Sequence, residues 1–428
     1  MRERLARRIA GAALASLILA SSLAAGASAQ DKVGTSLDPQ NFDQIARGRY
    51  LAIAGDCSSC HTVPGSGQPY AGGRPIETPF GVVVGANITP DAETGIGAWS
   101  DEAFVRALRE GKGYHDELLY PAMPYPYYTK LTHSDALAIR AYLNTVKPVR
   151  NAVVSNKLPF PFDVREGMAA WNALYFRSGE FKPDPTKSAE WNRGAYLVEG
   201  LGHCGACHTP KTRLGGDDRA HPLQGYALQG WFAPNITNDN ERGLGGWSVP
   251  DIVANLKNGP NATTASTGIM GEEITLSSSQ MTDADLTAIA TYLKDLPGQT
   301  SASPAAVAAS DPRMTAGGAI YADECSACHG PDGKGVPFLF PSLAQSPNVH
   351  SADPASLIRV LIEGARSVAT ASEPTGPGMP SFAWKLNDDQ AAAVLTYIRN
   401  SWGASAPAVD PREVEQARAR AAMAATGR

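Results

Sequence analysis

The chain has 428 residues, 43% of them apolar and 18% charged, and a formal net charge of −5. An acidic balance excludes a general nucleic-acid surface, which needs a basic field to meet phosphate. Its 42 glycines and 32 prolines suit short helices joined by long ordered loops.

The first residues read as an export signal. Arg2, Arg4, Arg7 and Arg8 form a positive start, Ile9 to Leu23 is apolar, and Ala27-Ser28-Ala29 is a small-residue cleavage site. Residues 1–29 are therefore expected to be removed, leaving Gln30 first in a bacterial periplasm. The alternative is a retained anchor, for which the apolar stretch is short. Losing the four arginines and one glutamate of this segment takes the charge to −8. No later segment has the apolar length that spans a bilayer, so any membrane association is expected to be peripheral or through a partner.

A pentapeptide then appears three times: Cys57-Ser58-Ser59-Cys60-His61, Cys204-Gly205-Ala206-Cys207-His208 and Cys325-Ser326-Ala327-Cys328-His329. Cys-x-x-Cys-His is the attachment site of c-type haem. Two thiols on one face of a helical turn can add to the two vinyl groups of one porphyrin. The histidine that follows is held to become the proximal iron ligand, so His61, His208 and His329 are the candidates. A bare Cys-x-x-Cys also occurs in zinc knuckles and thioredoxin-like redox pairs. Here every copy carries the histidine, and three sites use all 6 cysteines. Three covalently bound haem c groups are expected, with no disulfide and no free thiol.

The surroundings of each motif repeat as well. Arg47-Gly48-Arg49-Tyr50-Leu51 precedes the first, Arg193-Gly194-Ala195-Tyr196-Leu197 the second, and the looser Gly317-Gly318-Ala319-Ile320-Tyr321 the third. Asn87-Ile88-Thr89 through Trp99-Ser100 is echoed by Asn235-Ile236-Thr237 through Trp247-Ser248. Both asparagines lie in glycosylation sequons, yet in a bacterial periplasm they read as turn residues. Each echo opens a helix, Asp101–Glu110 and Pro250–Lys257, on three-and-four apolar spacing. A closing helix ends each unit, over Ser134–Val146, Thr282–Leu296 and Asn387–Ser401, each starting with N-cap chemistry. Tyr142, Tyr292 and Tyr397 fall on the apolar stripes of these helices, as core packing.

A helix bearing the haem motif and a closing helix that crosses it is the plan of a class I cytochrome c. The expected fold is therefore all-α, with three such domains in tandem at 40–150, 189–298 and 311–403. Residues 151–188 form an aromatic linker expected to pack across the first two domains. Residues 299–310 read as a Ser/Ala-rich spacer that leaves the third domain freer, and 404–428 as a helical tail. Val414, Ala417, Ala421 and Ala424 share one face of that tail, which suits partner docking or a frayed end better than lipid insertion.

The sixth iron ligand decides between electron transfer and catalysis, because a Met thioether raises the potential and closes the iron. Met123, Met270 and Met379 lie in loops ahead of the closing helices. From His61 to Met123 and from His208 to Met270 the spacing is 62 residues in both cases; from His329 to Met379 it is 50. Met281, at a helix start, ranks behind Met270. His115, His133, His203, His221 and His350 read as surface or supporting residues.

The Arg47-Gly48-Arg49-Tyr50-Leu51 and Gly55-Asp56-Cys57 segments, the Asn-Ile-Thr repeats, and Asp285-Leu286 to Tyr292-Leu293 resemble the triple-haem cytochrome c subunits of bacterial membrane-bound dehydrogenases. That family serves quinoprotein (PQQ) alcohol dehydrogenase and flavin-dependent gluconate, sorbitol, fructose and glucose dehydrogenases; a related set serves molybdenum hydroxylases. The resemblance implies that electrons arrive from the partner's cofactor, pass along the haems, and leave to ubiquinone or a terminal oxidase. It places the chain on the periplasmic side of the inner membrane. No dinucleotide-binding glycine motif and no nucleophile–base pair is apparent, so substrate oxidation is expected on another chain. The competing readings are a free-standing periplasmic carrier feeding an oxidase, and a catalytic multihaem enzyme such as a peroxidase or thiosulfate dehydrogenase.

Overall fold

The computed structural model describes residues 41–298 and 304–425. The expected signal segment, the start of the spacer at 299–303 and the last three residues lie outside the described residues.

Each repeat opens on a helix, over Phe42–Ala54, Ala189–Tyr196 and Pro312–Ile320. A short helical turn then carries the paired cysteines and the histidine. The closing helices run His133–Leu143, Asp283–Asp295 and Asp388–Ile398. Their N-caps are Thr132, Thr282 and Asn387, whose side chains accept the backbone N–H three residues on. The first helix thus starts ahead of Ser134, because Thr132 is the residue placed to satisfy the Asp135 N–H.

The opening and closing helices cross at one glycine in each repeat. A Cβ on Gly48, Gly194 or Gly317 would run into the backbone carbonyl of Ala138, Ala288 or Ala393 respectively. The repeated glycine therefore sets how closely the two helices approach.

Three antiparallel two-stranded hairpins supplement the helices. They pair Pro75–Thr78 with Gly81–Val84, Tyr226–Leu228 with Trp231–Ala233, and Ala365–Arg366 with Gly378–Met379. The second turns on Gln229 and Gly230, both at positive φ, the geometry that a two-residue hairpin loop demands.

The first two repeats share one hydrophobic core, in which Leu51, Leu131 and Leu143 join Leu197, Leu286 and Leu293. Above that core their ends are clasped. Arg47 binds Asp135, and Arg193 binds Asp285 through both oxygens. Tyr50 and Tyr196 each reach across to the other repeat's aspartate.

Residues between 151 and 188 bridge both units. Tyr125 donates to Asn172 at 2.6 Å and Phe181 N to Lys130 O at 3.0 Å, while Trp171 Nε1 donates to Leu214 O at 2.9 Å.

The third repeat has its own core around Tyr321, Val349, Ile358 and Leu395. It meets the second repeat through polar contacts, including Phe232 N to Ser356 Oγ at 2.8 Å and Ser342 N to Thr263 O at 2.8 Å.

The tail corrects the sequence expectation. Helix Pro411–Ala425 packs onto the third repeat's own core: Val414 is fully buried, Ala417 nearly so, and Arg418 bonds Asp388 and the Ala383 carbonyl. The small face suffices because Ala allows close helix approach to a surface already formed. Among the described residues no helix is long and apolar enough to cross a membrane.

Candidate haem sites

The three histidines share one geometry. His61 Nδ1 lies 2.6 Å from Ala86 O, His208 Nδ1 2.7 Å from Pro234 O, and His329 Nδ1 3.0 Å from Pro341 O. A carbonyl can only accept, so each Nδ1 carries the proton and Nε2 keeps its lone pair for a metal. Burial holds all three imidazoles below their ordinary pKa, in the neutral form that ligation needs.

The local sequence explains how the carbonyls are held. Asn87 and Asn235 directly follow Ala86 and Pro234, and both are buried. Asn87 Oδ1 accepts from Thr89 N and Oγ1 at 3.0 and 2.8 Å; Asn235 Oδ1 accepts from Thr237 N and Oγ1 at 2.8 Å each. The Asn-Ile-Thr repeat is thus a turn that aims a carbonyl at the proximal histidine. Sequence reasoning found the turn and missed its purpose; the signal was its recurrence after two of the three motifs. In the third repeat Ser342 takes the asparagine's position after Pro341, and is buried.

The cysteines are unpaired in the structure. Burial pushes the thiols of Cys57 and Cys204 up to about 12, and those of Cys207 and Cys325 up to about 11. A redox-active Cys-x-x-Cys needs a lowered thiol pKa, the opposite of the shift at these four thiols. Among the described residues no three His, Cys, Asp or Glu side chains converge as a zinc site requires.

One continuous cavity of about 1430 Å³ joins the repeats. Cys60 of the first, Cys204, Cys207 and His208 of the second, and Cys325, Cys328 and His329 of the third all line it. Space, unpaired thiols and neutral imidazoles with a free Nε2 together fit haem c.

Met270 and Met379 line the same cavity, on helix Gly268–Leu276 and in the third hairpin. Met123 is partly buried against the shared core, with its N–H on Tyr120 O at 3.0 Å. Met281 is buried and also lines the cavity, so the structure brings both second-repeat methionines to the site. His203 is drawn inward, edge-on to Tyr128 and bonded to the Gly55 backbone. His350 bonds Ala344 O at 3.0 Å, and His221 pairs with Asp218 at the surface.

The cytochrome c family profile matches residues 45–147, 192–297 and 314–402. The chain is 40% identical over 391 residues to the gluconate 2-dehydrogenase cytochrome c subunit of Pantoea cypripedii, covering 87% of this chain and 88% of that protein. It is 38% identical to the fructose dehydrogenase cytochrome subunit of Gluconobacter japonicus, over 88% and 82% of the two chains. With the alcohol dehydrogenase (quinone) cytochrome c subunit of Gluconobacter oxydans it shares 37% identity, over 89% and 84%. Three profile-matching repeats and relatives matched over more than four-fifths of their length agree: the chain belongs to the cytochrome c family and carries covalently bound haem c.

Proposed function

We propose that this chain is the periplasmic electron-transfer subunit of a membrane-bound dehydrogenase. Electrons from a flavin-, PQQ- or molybdenum-dependent catalytic subunit pass through it to ubiquinone. The observation that carries this reading is the threefold recurrence of a neutral, carbonyl-anchored histidine beside two unpaired thiols, with the second and third sets and Cys60 of the first lining one connected cavity.

In this reading Cys57 and Cys60, Cys204 and Cys207, and Cys325 and Cys328 hold the three haems by thioether bonds. His61, His208 and His329 supply the proximal nitrogen, and Met123, Met270 and Met379 the sixth ligand. Bound haem supplies one-electron carriage at each site. The chain's own residues fix the imidazoles, exclude water and close the distal positions. The charge is acidic, and any membrane contact is peripheral.

The purified mature chain should be reducible by dithionite yet inert toward alcohols, sugars, sugar acids and aldehydes. Co-expressed with its dehydrogenase, it should support substrate-dependent ubiquinone reduction. Substrate oxidation at enzymatic rates by the purified chain alone would sink the assignment.

A further inference from the structure

The first two cysteine motifs meet face to face. His203, which leads into the second motif, bonds the backbone of Gly55, which leads into the first. Tyr128 donates to the same Gly55 carbonyl at 2.7 Å. Into this junction the structure places two carboxyl groups, Asp56 from the first repeat and Glu273 from the second.

Both line the shared cavity. Asp56 has a left-handed backbone, φ 49°, and its Oδ1 is buried with no hydrogen-bond partner. Glu273 accepts from Ser278 Oγ at 3.0 Å and faces the cavity from helix Gly268–Leu276. The field of Asp56 reaches the sulfurs of Cys57, Cys60 and Cys207; that of Glu273 reaches Cys204 and Cys207. The pair therefore sits between the attachment edges of two haems.

We propose that Asp56 and Glu273 form a shared proton-holding site between the first and second haems, so that reduction of either haem draws one proton from water onto the pair. An electron entering the buried volume adds one negative charge. A proton bound by one carboxylate cancels it, and no bond other than the new O–H forms or breaks.

The electrostatics agree with the geometry. Burial, then the neighbouring Glu273 charge, push Asp56 up to about 8, and burial pushes Glu273 up to about 7. Neither cause depends on the cysteines being thiols, and filling the cavity removes more water. The charged groups facing the pair are few. Arg74 and Glu272 face Asp56, Arg74 binding Glu272 at 2.8 Å and Ser59 O at 2.5 Å. Ser278 donates to Glu273, while burial holds His203 below the ordinary imidazole pKa. The Arg74–Glu272 bridge beside Asp56 is half-buried.

The test is a spectroelectrochemical titration of the full mature protein from about pH 5 to about pH 9. At fixed applied potential, the reduced-to-oxidised ratio of the first two haems should fall with rising pH, by up to about tenfold per pH unit. Glu273→Gln and Asp56→Asn should each weaken that dependence at the first two haems and leave the third unchanged. A reduced-minus-oxidised infrared spectrum should show a protonated-carboxyl band that Glu273→Gln removes. Where Asp56→Asn impairs haem attachment, seen as missing mass, Glu273→Gln carries the test. Flat wild-type potentials, or an undiminished slope in the variants, would overturn the proposal. The measurement needs neither dehydrogenase nor quinone. It rests only on haem at the first two motifs, so it stands or falls apart from the electron-delivery reading.

Discussion

Tyr50 donates its phenolic proton to Asp285 Oδ2 at 2.6 Å, across the junction of the first two repeats. Tyr196 returns the same bond to Asp135 at 2.6 Å. Even the cap residues follow, with Thr282 N to Tyr50 Oη at 3.3 Å and Thr132 N to Tyr196 Oη at 3.4 Å. Each aspartate is thus shared between its own repeat's arginine and the other repeat's tyrosine.

Removing these bonds should loosen the first two repeats without touching the haem ligands. Tyr50→Phe and Tyr196→Phe should each cost about 1.5–3 kcal/mol, the range for hydrogen bonds to charged groups, read as a lower urea midpoint. Asp285 adds a pH signature. Burial raises its pKa, but the bonds from Arg193 and Tyr50 and the arginine charge outweigh that, leaving it below the ordinary carboxylate value. Its contribution is therefore full above about pH 4 and lost as pH falls through the lowered value. Asp285→Asn should start less stable at neutral pH and lose less on acidification.

The helix crossings give a second prediction. Gly194→Ala should cost about 2–3 kcal/mol, since the new methyl meets the Ala288 backbone, which cannot move aside as a side chain would. Gly48→Ala should behave likewise against Ala138. Gly246→Ala, with open space at its Cβ, should stay within about 0.5 kcal/mol. Thermal unfolding followed at the haem absorbance separates the three.

How much of this was legible beforehand depends on the range of the interaction involved. The haem motifs, the caps at Thr282 and Asn387 and the amphipathic stripes are local patterns, and the sequence alone reveals them. The hairpins are not, because strands of two to four residues leave no alternation to read. Asp56 and Glu273 stand 217 positions apart in the chain and meet only through the packing of two repeats. The tail shows the reverse failure: its Ala-rich face suggested partner docking or a frayed end, yet Val414 lies wholly inside the third repeat's core.

The methionines give a third prediction. Met123→Ala, Met270→Ala and Met379→Ala should each open one haem to carbon monoxide and lower its potential. Each should also remove one share of the near-infrared sulfur-to-iron charge-transfer band. Met281→Ala is the informative comparison, because Met281 lines the cavity beside Met270. It should leave the band intact; loss of the band in Met281→Ala and its retention in Met270→Ala would reverse the assignment.

The tail supplies the fourth. Val414→Asp places an unpaired charge in the third repeat's core and should cost about 3–4 kcal/mol there. Because that core is separate from the one shared by the first two repeats, only the third haem's unfolding should shift. Domain-resolved loss of haem absorbance in urea would show it, and a uniform shift of all three would contradict the separate cores.

An exchange in which residue i of one partner grips residue j of the other, and j grips i, is what a twofold axis imposes on an isologous homodimer. The first two repeats carry that signature inside a single polypeptide. Residues 151–188 then act as the covalent tie that turns a concentration-dependent association into a permanent one. Fusion also frees the two halves to diverge. Asp56 and His203 occupy the same place before their motifs, and an assembly of identical subunits could never hold an acid at one and an imidazole at the other.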